Sequence, residues 1–153
     1  MSSKKVLVLY YSGSGNTRGM AEAITEGMKS SAMNVTMEYM EKVNISHLPN
    51  YDGIVVGSPT YFSNMTWQVK KMIDESIVHY TGGKPKGKVA GIFTSAGTRK
   101  DGKDCLKMLE IALGHHHEMK VVDGILRVDG EGGKEVEERC HEYGERLVEE
   151  IEK

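Results

Sequence analysis

The chain has 153 residues, 27% charged and 39% hydrophobic, with a formal net charge of −2. That length fits a single domain, residues 1–153, with volume for a real core, and the near-neutral balance favours neither nucleic acid nor a membrane surface as partner. No apolar run reaches the roughly 18–20 residues of a membrane span, and MSSKKVLVLYYS has too short an apolar run after its lysines to read as a secretory signal.

The predicted elements alternate strand and helix. Val6–Tyr10 is an apolar run of buried-strand type, and Thr17–Ser30 has helical spacing, with Met20, Ile24 and Met28 four apart. Val35–Met40 alternates Val35, Met37 and Tyr39 with Thr36 and Glu38, as an edge or half-buried strand does. Lys42–Asn50 leaves room for one helical turn before Pro49, and Asp52–Gly57 is a third strand. Met65–Val78 puts Met65, Val69, Met72, Ile73 and Ile77 on one helical face; Trp67 on this helix is expected to pack. Lys88–Thr94 is a fourth strand and Lys103–Leu113 a helix, with Leu106, Leu109, Ile111 and Leu113 apolar. Met119–Ile125 is expected as an uninterrupted fifth strand, and Glu135–Ile151 as a closing helix with Val136, Cys140, Tyr143, Leu147, Val148 and Ile151 inward. From Asp129 onward ten acids face four Lys/Arg, a net of −6 that suits a solvated outer face on that helix.

Such alternation predicts an α/β fold: a doubly wound five-stranded parallel sheet of order 2-1-3-4-5 with helices on both faces. Ligands in these sheets sit beyond the carboxyl ends of the strands, near the point where strand order reverses. The loops after strands one, three and four therefore carry the functional signal.

The first loop, SGSGNT (Ser12–Thr17), offers two glycines, three hydroxyls and an amide directly before a helix. It reads either as a phosphate cradle at a helix N-terminus or as an ordinary turn with a Ser/Asn cap. It has no lysine for a P-loop, and Arg18 stands where a third dinucleotide-binding glycine belongs. The second loop, GSPTYFSNMT, places Tyr61 and Phe62 side by side where polar residues are usual; they read either as a platform on which a flat ring stacks or as an aromatic that staples the next helix to the sheet. Pro59 fixes its turn, and Asn64 is expected to take a left-handed backbone or cap the next helix. The third loop, TSAGTRKDG (Thr94–Gly102), is small and polar, with backbone groups from Ser95 to Thr98 free to bond a heterocycle edge. Phosphate and planar-ring signals on one edge imply a phosphorylated planar cofactor.

On these residues the chain resembles the flavodoxin-like FMN proteins over essentially its whole length. SGSGNT is similar to their FMN-phosphate loop, and YDGIVVGSPTYFSNMTWQVKKMID and FTSAGT resemble the tryptophan-repressor-binding-protein type of NAD(P)H:quinone oxidoreductase. The resemblance implies FMN as cofactor. It assigns Ser12, Ser14, Gly15, Asn16 and Thr17 to the phosphate, and Pro59, Thr60, Tyr61, Phe62, Asn64, Ser95, Ala96, Gly97 and Thr98 to the flavin. Ser63 stands where the quinone reductases carry glycine, no aromatic lies between Ser95 and Gly102, and GHHHEMK is one residue longer than their histidine segment, with His116 or His117 as the match.

Two functions follow. One is a flavodoxin-type carrier that exchanges electrons with a redox partner protein through non-covalent FMN. The alternative is an NAD(P)H-dependent quinone reductase, which predicts a homo-oligomer. No catalytic side chain and no metal site is expected: three consecutive histidines cannot face one ion from a regular element, and they read as a polar entry to the fifth strand. Cys105 and Cys140, without CxxC spacing, are expected as reduced structural thiols in the cytoplasm.

Overall fold

The computed structural model describes residues 4–80 and 87–153. Its elements run β1 (Lys5–Tyr10), α1 (Asn16–Lys29), β2 (Asn34–Tyr39), β3 (Gly53–Pro59), α2 (Trp67–Tyr80), β4 (Val89–Ala96), α3 (Arg99–Glu110), β5 (Lys120–Val121), β6 (Ile125–Val128) and α4 (Gly133–Glu152). The strands pair in parallel in the order β2-β1-β3-β4-β5, with β6 also on β4. This is the doubly wound order expected from the sequence, with a sixth strand added.

Strand alternation divides the core. Val6, Val8 and Tyr10 of β1 join Val55, Val89 and Phe93 under α1 and α4, whereas Leu7 and Leu9 join Ile54, Val56, Ala90 and Ile92 under α2 and α3. Phe93 is fully buried and lies over Gly57, which has no side chain to obstruct it. Burying such a ring stabilises by roughly 2–3 kcal/mol. The helices α1 and α4 cross closely because Gly27 rests on the His141 carbonyl and Gly144 on that of Ile24; a methyl at either would strike backbone.

The expected single strand over 119–125 is two short segments. Val89 pairs with Lys120 and Ala90 with Val121, but Phe93 pairs with Ile125, so the register slips by one residue between them. Such a slip is a bulge, and it unpairs part of the ladder. Tyr143 of α4 fills the gap: its hydroxyl accepts from Ile92 N at 3.0 Å and donates to the Val122 carbonyl at 3.0 Å. Burial pushes that hydroxyl's pKa well above its ordinary value.

Other boundaries move for local reasons. Thr98 Oγ1 accepts from Asp101 N at 3.2 Å, so α3 starts at Arg99 and not at Lys103. Beyond Glu110 the helix widens into a π-turn segment, Ile111–His116, which leaves Ile111 exposed while Leu109 and Leu113 stay buried. The helix predicted from Met65 begins at Trp67. Two 3₁₀ segments, Met40–Lys42 and Ile45–Asn50, replace the single turn predicted before Pro49, and the second contains that proline. Cys105 and Cys140 are both free and buried; burial raises both thiols, Cys140 to about 11. No described helix is long and apolar enough to cross a membrane.

Candidate functional site

The carboxyl ends of β1, β3 and β4 bring three segments together. In the first, Gly15 takes φ 99°, a left-handed value that glycine adopts without strain, and serves as N-cap of α1. The Ser12 hydroxyl oxygen accepts from Gly15 N at 3.1 Å and from Arg18 N at 3.3 Å. With both acceptor positions used, its proton is left to donate. The backbone N–H groups of Asn16 and Thr17, in the first turn of α1, have no protein acceptor among the described residues, and helix polarity favours an anion there. Ser14 is exposed beside them. The donor set therefore fits a phosphate. Thr17 differs from expectation in its side chain: it is 1% exposed, and its hydroxyl bonds Ser95 Oγ at 2.8 Å, tying the first segment to β4.

The second segment is a tight turn. Tyr61 N donates to the Asn64 carbonyl at 2.9 Å and Asn64 N to the Tyr61 carbonyl at 3.1 Å. Both central residues have positive φ, Phe62 at 52° and Ser63 at 67°, as a type I′ turn requires. The left-handed positions are thus Phe62 and Ser63, not Asn64, whose Oδ1 instead accepts from Met65 N at 2.8 Å. Neither is glycine, so each left-handed conformation costs roughly 1 kcal/mol or more. Pro59 ends β3 and is buried; it does not form the turn. Phe62 is 102% exposed, and Tyr61, half-exposed, sets its hydroxyl against Gly13 of the first segment. An aromatic ring carried clear of the protein on a fixed turn fits a planar ligand. Trp67 is also exposed and not packed as expected.

The third loop is far shorter than its polarity implied. Thr94, Ser95 and Ala96 belong to β4 and are buried, leaving Gly97 and Thr98 as the connection to α3. The polar groups expected to be free are mostly paired. Thr60 N donates to the Ser95 carbonyl at 2.8 Å, Asp129 N to the Ala96 carbonyl at 3.0 Å, and Thr98 caps α3. Thr94 donates to the Ser58 carbonyl and shares a 2.6 Å hydrogen bond with Thr60. Gly97 remains exposed.

Four supporting residues were not among the site residues expected from the sequence. Thr94 and Ser58 brace the second segment; the Ser58 hydroxyl also accepts from Thr66 N at 3.0 Å. Tyr39 donates weakly to the Ser12 carbonyl, at 3.4 Å, from a cluster with Tyr10 and Tyr11; burial and the adjacent Tyr11 raise its pKa. Asp101 accepts from the Ser63 hydroxyl at 2.8 Å. A polar residue in a strand or in a helix's first turn reads as ordinary until the fold shows what it faces.

The histidines lie elsewhere. They precede β5, whose first residue pairs with the start of β4, so they sit at the amino edge, opposite the three segments. They are no polar strand entry: His115 and His116 lie in the π-turn segment, and His117 is buried with Nε2 3.1 Å from Ser76 Oγ and Nδ1 3.1 Å from the Ala112 carbonyl. A match of His116 or His117 to a flavin-side histidine does not hold in this geometry. A groove of about 870 Å³ between α1 and α4 includes no residue of the second or third segment.

Residues 45–132 match the family model described as NADPH-dependent FMN reductase. The chain is 31% identical to an NAD(P)H dehydrogenase (quinone) from Rhizobium rhizogenes over 94% of this chain and 82% of that one. With the NAD(P)H dehydrogenase (quinone) 3 of Rhizobium meliloti the identity is also 31%, but the match spans only 57% of that protein and 65% of this chain. Among solved structures, a flavodoxin from the domain Archaea superposes with a TM-score of 0.82 at 27% identity, covering 97% of this chain and 99% of that one. A WrbA-like flavodoxin from Agrobacterium tumefaciens gives 0.82 at 26% identity, with 98% of each chain covered.

Proposed function

The chain belongs to the NADPH-dependent FMN reductase family, a flavodoxin-like FMN oxidoreductase, and from that premise we propose that it holds FMN at the carboxyl edge and exchanges electrons there with a redox partner protein. The observation that carries this reading is the pairing of an anion cradle at Ser12–Thr17 with the fully exposed Phe62 ring on one edge of the sheet. Bound FMN supplies a group able to take up and release electrons. The residues hold and cover it. Ser12 and Ser14 hydroxyls and the Asn16 and Thr17 N–H groups take the phosphate, with Gly15 opening the turn. Tyr61 and Phe62 would lie against the ring; Thr60 and Asn64 hold their turn, while Pro59 and Ala96 are buried at the ends of β3 and β4. Gly97 presents backbone to the ring's edge; Ser95 and Thr98 position that segment through Thr17 and α3.

The partner reading rests on exposure: the aromatic turn stands open to a docking protein, and the chain spans 99% of the archaeal flavodoxin's length. A second reading, two-electron transfer from NAD(P)H to a quinone in a homo-oligomer, is favoured by the 31% identity to quinone dehydrogenases over 94% of the chain. The two free buried thiols fit the reducing cytoplasm.

Anaerobic titration of the FMN-loaded protein decides between them. Fast bleaching of the visible spectrum by NADH or NADPH, reversed by added quinone, establishes the reductase. Inertness to both nucleotides, with two separate one-electron waves in potentiometry, establishes the carrier. Protein that neither binds added FMN nor shows a flavin spectrum overturns both.

A further inference from the structure

The Phe62–Ser63 turn poses a physical problem. Two adjacent side-chain-bearing residues are left-handed, at φ 52° and 67°, on an exposed segment. Such a conformation persists only where surrounding contacts over-determine it. The reciprocal Tyr61–Asn64 backbone pair closes the turn on itself but does not attach it to the body of the protein. The Ser63 hydroxyl does, donating to Asp101 Oδ1 at 2.8 Å across thirty-eight positions of sequence.

Asp101 is placed for this by α3. Thr98, Arg99, Lys100 and Asp101 have the Thr-x-x-Asp spacing of a capping box, and half of that motif is present, with Thr98 Oγ1 accepting from Asp101 N. The other half would turn the acidic side chain back to the Thr98 N–H. Here the carboxylate instead reaches to Ser63. A carboxylate acceptor makes a stronger bond than an ordinary hydroxyl–carbonyl contact.

We propose that Asp101 is a positioning residue: through the Ser63 hydroxyl it clamps the Tyr61–Asn64 turn to the start of α3 and so fixes where the Phe62 ring stands over the flavin. The clamp rests on the FMN reading for its purpose but not for its existence. It also gives Ser63 a role of its own. Glycine at this position would enter the left-handed conformation more easily but would have no hydroxyl to hold.

The test uses full-length protein with Ser63→Ala, Asp101→Ala, Asp101→Asn, Ser63→Gly and the double alanine variant. The first readout needs no flavin: amide hydrogen exchange of residues 61–64 in the apoprotein. Exchange in each single alanine variant rises about tenfold, and the double variant is no faster than either single. Asp101→Asn, whose amide oxygen still accepts, stays within about threefold of the parent. Ser63→Gly exchanges faster than the parent despite its relaxed backbone. The second readout is FMN affinity by fluorescence quenching, weakened about tenfold by either alanine and no further by both. Additive effects of the two alanine changes, or unchanged exchange, overturn the clamp. Coupled exchange with unaltered FMN affinity overturns its positioning role. Coupled exchange in a parent protein that binds no FMN removes the FMN reading and the positioning role together, and leaves the clamp standing.

Discussion

At the amino edge of the sheet His117 is 2% exposed and both its ring nitrogens have partners, while Lys88 reaches the Pro49 and Tyr51 carbonyls. At the carboxyl edge the arrangement is inverted. Aromatic rings at Tyr61, Phe62 and Trp67 stand in solvent, while the hydroxyls of Thr17, Ser95 and Thr94 lie buried behind them, bonded from one segment to the next. The same parallel strands end in both places. What separates scaffold from site is the direction of the trade. An edge that buries these hydroxyls in pairs and exposes its rings leaves apolar surface open to a ligand, whereas an edge that satisfies its histidine internally does not.

If that distinction is correct, changes to the scaffold alter stability and leave ligand binding alone. The largest effect belongs to Tyr143→Phe. Removing the hydroxyl leaves Ile92 N–H and the Val122 carbonyl buried without partners, which costs about 3 kcal/mol in total. Urea unfolding of the apoprotein should show that loss, with FMN affinity of the folded fraction unchanged. Changed affinity at equal occupancy of the folded state would mean that the bulge and the site are coupled.

His117 gives the next effect, and its signature is pH. Burial lowers its pKa from the ordinary 6.5. The groups around it are the Ala112 and Ile73 backbone, the Ser76 hydroxyl, the Tyr80 ring, and the His116 and Asp74 side chains; His116 lowers the pKa further, whereas the Ala112 and Ile73 backbone and Asp74 raise it. The unfolded imidazole takes up its proton first as pH falls. Stability is therefore fully present above pH 6.5 and declines as pH drops from there towards the folded-state value. His117→Gln should remove that part of the slope and cost about 1–2 kcal/mol at pH 7. Unfolding free energies measured at pH 5 and pH 7.5 check both; an unchanged slope in the variant would assign the pH dependence to other groups.

The sequence carried the sheet because alternation is a local property: Val6–Tyr10 and DGIVVG read as buried strands whatever surrounds them. It carried the first loop for a similar reason, since glycines and hydroxyls before a helix are contiguous. Several of the misreadings are non-local. Ser95 reads as loop because it is polar, yet its hydroxyl has a partner in another segment, which lets it sit in a buried strand. The register slip beside Gly124 depends on a tyrosine that follows by nearly twenty residues. The left-handed pair at Phe62 and Ser63 lacks the glycine or asparagine that normally announces it, and neighbouring Asn64 drew the expectation instead. The flavin-side match for His116 or His117 rests on the family resemblance alone, and the direction of β5 puts both at the opposite edge.

On the site side of the comparison, Ser12→Ala removes the oxygen that accepts from Gly15 N and Arg18 N. Loss of a cap of this kind costs about 1 kcal/mol. If, as proposed, the same side chain offers its proton to the phosphate, affinity should fall as well, by about tenfold. Isothermal titration with FMN and with riboflavin separates the two effects: the variant should lose affinity for FMN and little for riboflavin, which has no phosphate. Equal losses for both would mean that the first segment acts on the ring and not on an anion.

Phe62→Ala should have the smallest effect on the fold and still sharpen the comparison most. The ring is fully exposed, so it buries no area and fills no cavity, and its removal should change unfolding free energy by less than about 0.5 kcal/mol. Alanine at φ 52° carries the same left-handed strain, so the turn is neither relaxed nor further strained. A stacked ring contributes roughly 1–1.5 kcal/mol beyond the area it covers, or about tenfold in binding. Phe62→Ala should therefore weaken both FMN and riboflavin by about that factor, the pattern opposite to Ser12→Ala. Phe62→Leu, apolar but not planar, should recover less than half of the lost binding free energy if stacking is the cause. Full recovery by leucine would show that the exposed ring is simply greasy surface awaiting any cover, and the contrast between the two edges would then say nothing about a planar ligand.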